Sequence, residues 1–147
     1  MDKREQILAR LVTVAEGLPG VSTVTRNSDE ISEHKRPAIA IFDADETADE
    51  RAEQQGHLGQ APNLIEMTPE VLILLGAAPE TVGTALNELR AQLVKAVLTD
   101  QAMIELAGPN GRVRYTGCTT HLGHGRSMEA AMGIQFSVAY VLRPEQL

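Results

Sequence analysis

The chain has 147 residues, the length of one domain, which can bury about 68–70% of its unfolded surface without disulfides or metals. Its formal net charge of −7, with 13 basic residues scattered among 20 acidic ones, argues against a protein that coats nucleic acid. Aromatic residues make up 3% of the chain and tryptophan is absent, which leaves little material for stacking on bases or sugars.

No segment predicts export or membrane insertion. The start "MDKREQILAR" carries charges where a signal peptide needs an apolar run, and runs such as "VLILLGAA" fall far short of the roughly 20 residues that span a bilayer. A single cysteine cannot form an internal disulfide. We therefore expect a soluble protein that folds in a reducing compartment and binds, if anything, other proteins.

The first predicted element is an amphipathic helix from about Lys3 to Glu16. Asp2 and Glu5 have the spacing of a capping box, and apolar residues recur at helical intervals behind them. Gly17, with its freedom to adopt a left-handed conformation, and a following proline predict the end of this helix. "GVSTVTR" then predicts a short strand.

The middle of the chain alternates strand patterns with an acidic segment. "PAIAIFD" has strand period and composition. Residues 43–60 hold six carboxylates against one arginine and almost no large apolar residue, so we expect an exposed, mobile loop. "NLIEMTPEVLILLGA" predicts a long strand interrupted at Pro69, at a sheet edge or a bulge.

The second half predicts a long helix and two strands. The helix begins at Pro79 and carries a continuous stripe from Val82 to Val97, and Thr99 or Asp100 can cap a further turn. "RVRYTG" and "AMGIQFSVAYVL" follow as strands. We predict one α+β domain over residues 1–147, in the order α-β-β-β-α-β-β, with a mixed, largely antiparallel sheet of about five strands and two main helices packed on it.

The stretch "YTGCTTHLGHGRSME", residues 115–129, raises the question of a chemical site. Cys118, His121 and His124 are zinc-type ligands, but three ligands on a glycine-rich connection lack the fourth ligand and paired spacing of structural zinc sites. Cys118 with His121 as its base lacks an orienting third residue. We therefore expect a hairpin connection without bound metal.

Two further motifs are weaker still. "DADE", residues 43–46, follows a strand where carboxylates could hold Mg²⁺, yet no phosphate-binding loop accompanies it. "GPNGR", residues 108–112, has the composition of a turn rather than the spacing of a phosphate loop. The sequence thus predicts neither an enzyme nor a cofactor.

The order of the elements resembles a known family. A helix ending in "LPGV", strands at "RPAIAIFD" and "EVLILLG", the helix "ALNELRAQLVKAVLTDQAM", then "VRYTGC" and "GIQFSVAYVL" resemble the tail terminator, or minor tail completion, proteins of long-tailed phages and related prophages and tail-like particles. The similarity spans nearly the full chain and rests on element order together with these short motifs.

The resemblance implies a non-enzymatic virion protein at the tail-head junction, assembled in the host cytoplasm. Such proteins form a hexameric ring on the last tail-tube ring, stop tube polymerisation and offer a surface to the head's connector. The implied partners are further copies of the chain, the tail tube protein and the head-completion or connector protein. DNA only passes through the ring, with no sequence-specific contact.

By position, the two long loops at residues 43–60 and 118–130 are candidates for ring and tube contacts. The candidate interface residues are Asp45, Glu46, Arg51, His121, His124 and Arg126. Two alternatives stay open: a head-to-tail connector of the neck, and a small metal- or thiol-dependent enzyme that uses Cys118, His121 and His124.

The strands also carry apolar residues on both faces, more than two helices on one face can cover. We assign seven residues to a helix-covered core: Ile39, Ile41, Val71, Ile73, Ile134, Phe136 and Val138. Seven others are candidates for the opposite face: Ala38, Ala40, Phe42, Leu72, Leu74, Ala139 and Val141. An apolar patch there predicts self-association, unless the helices are divided between the two faces.

Overall fold

The computed structural model describes residues 1–48, 62–122 and 128–147. Within these ranges the chain forms three α-helices, namely α1 (Lys3–Glu16), α2 (Pro79–Leu98) and α3 (Gln101–Ala107). It also forms seven strands, namely β1 (Thr23–Arg26), β2 (Ala38–Phe42), β3 (Glu46–Ala48), β4 (Asn63–Met67), β5 (Glu70–Ala77), β6 (Arg112–Leu122) and β7 (Met128–Leu142). The α+β class is confirmed, and the described residues contain more segments than the sequence predicted.

The seven strands form one mixed sheet with only five positions across it. β4 and β5 pair with β7 in one continuous register, because Met67 opposes Val138 and Glu70 opposes Gln135. β2 pairs with β5, and β3 pairs with β4 on the same side of these strands. β2 and β3 therefore also share one position across the sheet. The order across the sheet is β1, β2 with β3, β4 with β5, β7 and β6, so the sheet has seven strands where the sequence predicted about five. β1 is parallel to β2, and the other pairs are antiparallel.

Two local features break the long strands. Pro69 lies inside the sheet, not at an edge as one alternative predicted. Its carbonyl accepts a hydrogen bond from Phe136 N at 3.2 Å, but proline has no N–H to return, so the ladder is interrupted. Beside it, the three residues 43–45 oppose only Thr68 and Pro69, which is a β-bulge. Ala44 takes a positive φ of 52° within this bulge.

The helices begin and end where the sequence predicts, with two differences in how the ends of α1 are formed. Asp2 caps α1 by accepting from Arg4 N at 3.2 Å, but Glu5 binds Arg26 rather than completing a capping box. Gly17 keeps a φ of −80°, and the left-handed conformation occurs at Gly20 instead. Asp100 caps α3 by accepting from Met103 N at 2.9 Å.

The main core lies between the helices and one face of the sheet. It contains the buried residues of all three helices and all seven residues assigned to the helix-covered face, so that prediction is confirmed. None of the described helices is long and apolar enough to cross a membrane.

The predictions of loops at residues 115–129 and 43–60 are wrong in part. Residues 115–122 belong to β6, so the predicted connection at 115–129 is largely strand, because β-branched and small residues there pair with β7. Glu46–Ala48 form β3 within the predicted loop at 43–60, because they continue the β2 strand along β4. The rest of that loop from residue 49, and its expected mobility, lie outside the described residues.

Candidate functional site

The sheet face opposite the helices, called here the open face, is only partly covered. A small apolar cluster on it contains the buried residues Ile31, Ala38, Ala40 and Leu74. Ile31 belongs to the connection between β1 and β2, which crosses this face. Because that connection buries Ala38 and Ala40 completely, the exposed apolar patch is smaller than the sequence predicted.

Phe42, Leu72 and Ala131 border the same cluster and remain half-exposed. The open-face assignment of Ala38, Ala40, Phe42, Leu72 and Leu74 is therefore confirmed. On β7, Ala139 and Val141 alternate with core residues, as predicted for the opposite face, with Ala139 buried and Val141 half-exposed.

The other half of the open face is polar. Ser137 is 2% exposed, and its hydroxyl donates to Glu66 Oε1 at 2.7 Å. Arg114 Nη2 lies 3.6 Å from the same carboxylate oxygen. The Glu70 carboxylate covers Gly133, where an added Cβ would lie 3.0 Å from Glu70 Oε1. These groups lie on four strands at three neighbouring positions of the sheet and present charge rather than apolar surface.

Asp45 and Glu46 have different surroundings. Asp45 is exposed, and its carbonyl accepts from Thr68 N at 3.0 Å, which places it beside Thr68 in the bulge. Glu46 points to the helix side, where its carboxylate accepts from Arg4 Nη1 at 3.1 Å and from the Tyr140 hydroxyl at 3.3 Å. Burial, followed by the negative charge of Glu46, raises the pKa of Tyr140 above its ordinary range. Glu46 therefore joins α1 to the sheet, whereas Asp45 is available to a neighbour.

Cys118 and His121 do not form one site. Both are exposed on β6, but they are three residues apart in a strand and so point to opposite faces. Cys118 opposes the core residue Ile134, while His121 opposes Ala131 on the open face. The Cys118 thiol raises the pKa of the neighbouring Tyr115 hydroxyl. No three His, Cys, Asp or Glu side chains within residues 1–48, 62–122 and 128–147 are grouped to hold a metal ion.

Three of the predicted interface residues, Arg51, His124 and Arg126, lie outside the described residues. His124 is also the third residue of the proposed zinc set, so that set is only partly described. His121 lies in a shallow depression with Arg36 and Glu129, whose closest nitrogen and oxygen are 3.9 Å apart.

Arg112 and Arg114 are both exposed on β6 and were not predicted as site residues from the sequence. The signal was present in the charge pattern. Between Glu105 and Glu129 the chain has no acidic residue, although its net charge is −7. Among the described strands, β6 pairs only with β7 and so forms one edge of the sheet. Arg112 and Arg114 therefore lie on an edge strand, which the sequence alone does not show.

Comparisons with known proteins give little further information. No protein-family model and no curated protein matches the chain. Among solved structures, the chain is similar to a chain of the virion of a native gene transfer agent (GTA) particle, with 11% sequence identity and a TM-score of 0.43. The similarity covers 92% of this chain and 90% of that chain.

Proposed function

We propose that the chain is a structural protein of a phage-like virion that forms a ring on the end of the tail tube. In this role it stops tube polymerisation and provides the surface to which the head's connector attaches. Its partners are further copies of itself, six in a ring as the sequence resemblance implies, together with the tail tube protein and the connector. It performs no catalysis and works at the tail-head junction.

The observation that carries the proposal is the unequal covering of the sheet. The three described helices pack on one face, while the open face presents a small apolar cluster with a half-exposed border, beside exposed carboxylates. Surfaces of this mixed kind are typical of protein interfaces. The negative net charge also suits a ring through which DNA passes without adhering.

The test uses recombinant tubes of the tail tube protein from the same virion. Adding the chain during tube growth is expected to shorten the tubes and to leave a ring of density at one end in electron micrographs. Unchanged tube length without end density contradicts the proposal. Binding to the connector alone, with no effect on tubes, identifies a neck connector instead.

A second measurement separates this proposal from the enzyme alternative. Metal analysis of the chain purified without added metal, together with its native mass with and without tubes, is expected to show no stoichiometric zinc and a mass that increases with tubes. Zinc that is lost in Cys118→Ser, in a protein that does not bind tubes, indicates the metal-dependent enzyme.

A further inference from the structure

The two edges of the sheet differ in length and in charge. β6 is 11 residues long and pairs with β7 alone among the described strands. Its second half, Gly117–Leu122, contains no Asp, Glu, Lys or Arg, and most of it is exposed. A long exposed edge strand with few charges readily pairs with another strand. Among the described strands, the opposite edge is formed by β1 and, further along, by β3.

The registers show which parts of the two edges lie level with each other. One row of paired residues crosses the sheet from β1 to β6. In it Thr23 opposes Ala38, followed by Leu74, Ala131 and finally His121. Following the other pairs in the same way, β1 (Thr23–Arg26) lies level with Cys118–His121. A second row begins at β3, where Thr47 opposes Glu66, followed by Ala139 and finally Arg112. β3 therefore lies level with the start of β6.

Strand direction is also suitable for pairing between copies. β1 runs parallel to β2, and each of the next three steps across the sheet reverses direction, so β6 runs opposite to β1. A second copy placed beside the first in the same orientation brings its β1 antiparallel to β6. Antiparallel strands form the more stable hydrogen-bonded ladder.

The charges of the two edges are opposite. Arg112 and Arg114 lie near the start of β6, where no acidic residue is close in sequence. The edge of β1 and β3 is accompanied by four exposed carboxylates, Asp45 beside β3 and Asp29, Glu30 and Glu33 in the connection that follows β1, which also carries the exposed Lys35. None of these four forms an ion pair with another described residue.

We propose that β6 of one copy adds to β1 of the next copy as an antiparallel strand. Cys118–His121 then face Thr23–Arg26, and Arg112 and Arg114 approach Asp45. Because β3 is set back from β1 by one strand position, about 4.8 Å, the long arginine side chains span the difference. Arg112 and Arg114 alternate onto the open face, and Asp45 lines a depression with Glu70 and Gln135 of that face, so the three residues lie on the same side of the sheet.

This contact joins two different edges, so it is head-to-tail and can continue from copy to copy until a ring closes. The inference deepens the proposed function and rests on it, because it assigns the subunit contact of that ring.

The test is a disulfide trap. Thr23→Cys and His121→Cys are introduced together in a Cys118→Ser chain, whose folding is checked by circular dichroism. Diamide oxidises two thiols to one disulfide and is itself reduced. At high protein concentration we expect a ladder of dimers, trimers and larger products on a non-reducing gel, which disappears with a reductant.

The controls decide between ways of associating. A chain with His121→Cys and Ala91→Cys, the latter exposed on α2, is expected to give no ladder. Efficient dimers from His121→Cys alone show that β6 pairs with β6, which overturns the proposal. No ladder from the Thr23→Cys and His121→Cys chain, while tubes are still capped, overturns the edge contact alone. A ladder without any capping of tubes overturns the proposed function alone.

Discussion

Two arginines connect the helices to other parts of the fold. Arg26, on β1, donates to both oxygens of Glu5 in α1 at 2.7 and 2.9 Å and to both oxygens of Asp43 at 2.8 and 2.9 Å. Arg10 donates to both oxygens of Asp100 at 2.9 and 2.7 Å, although the two residues are 90 positions apart. The planar guanidinium suits such paired contacts. No sequence pattern links residues at these separations.

The Arg26 contacts predict a stability that depends on pH. Hydrogen bonds from Arg26 hold the pKa of Glu5 and of Asp43 below their ordinary values of 4.5 and 3.8. The unfolded chain therefore takes up protons first as the pH falls, so the stabilisation present above these ordinary values is lost as the pH drops through and below them. We expect the urea midpoint to decrease between about pH 6 and pH 3.

The variant Arg26→Met tests the cause. It is expected to be less stable at neutral pH and to lose less of its stability over the same acidic range. Urea titrations at several pH values measure both effects. An unchanged pH dependence in Arg26→Met means that other carboxylates are responsible.

Asp100 combines two roles that substitutions can separate. It caps α3 through Met103 N and binds Arg10, which holds the pKa of Asp100 below its usual range. Asp100→Ala removes both contacts, and we expect it to lower the free energy of unfolding by about 1–2 kcal/mol. Asp100→Asn keeps an oxygen for the cap and should lose less. Equal losses in the two variants contradict a capping role.

At the scale of elements, periodicity predicted most strands and both long helices. It identified the seven core-facing residues because alternate side chains of a strand point to opposite faces. It could not show the bulge at residues 43–45, since Ala44 is not a residue type that indicates a positive φ. It also missed the β6 extension, because glycines and histidines suggested a loop where Thr119 and Thr120 continue the ladder.

The packing of α2 gives a prediction at this scale. Leu93 is 1% exposed and belongs to the main core, so Leu93→Ala leaves a cavity under the helix. We expect the free energy of unfolding to fall by about 2–5 kcal/mol in chemical denaturation. Ile104→Ala on α3, where the side chain is 44% exposed, is the control and should change it by less than about 1 kcal/mol. A small effect of Leu93→Ala would show that this site is less tightly packed.

At the scale of the whole molecule, the sequence indicated charged surfaces but not their arrangement. Asp45 and His121 were predicted as interface residues from two separate loops, and that role remains a prediction. Arg112 and Arg114 become relevant only once the sheet order places β6 at one edge and β1 with β3 at the other. This order depends on pairings between residues far apart in sequence, such as β2 with β5 and β5 with β7, which local patterns do not encode.

The last prediction concerns the opposite charges of the two edges. Arg112→Glu places a carboxylate against Asp45 of the next copy, and Asp45→Arg places a cation against Arg112 and Arg114. Each single variant is expected to weaken self-association by about fivefold, corresponding to roughly 1 kcal/mol for an exposed pair. Together the two substitutions restore an opposite-charge pair and should recover most of the loss. Lys95→Glu, an equal charge change at an exposed position of α2, should have no effect.

The measurement is sedimentation at high concentration and low salt, repeated with tail tubes present so that association on the tube is also detected. Added salt should reduce the difference between the single variants and the unmodified chain, because exposed charges are screened. Recovery in the double variant requires that Arg112 and Asp45 interact between copies, because the two residues of one chain lie at opposite edges of the sheet. If the losses of the two single variants simply add in the double variant, Arg112 and Asp45 do not face each other. This conclusion holds even if the chain still caps tubes.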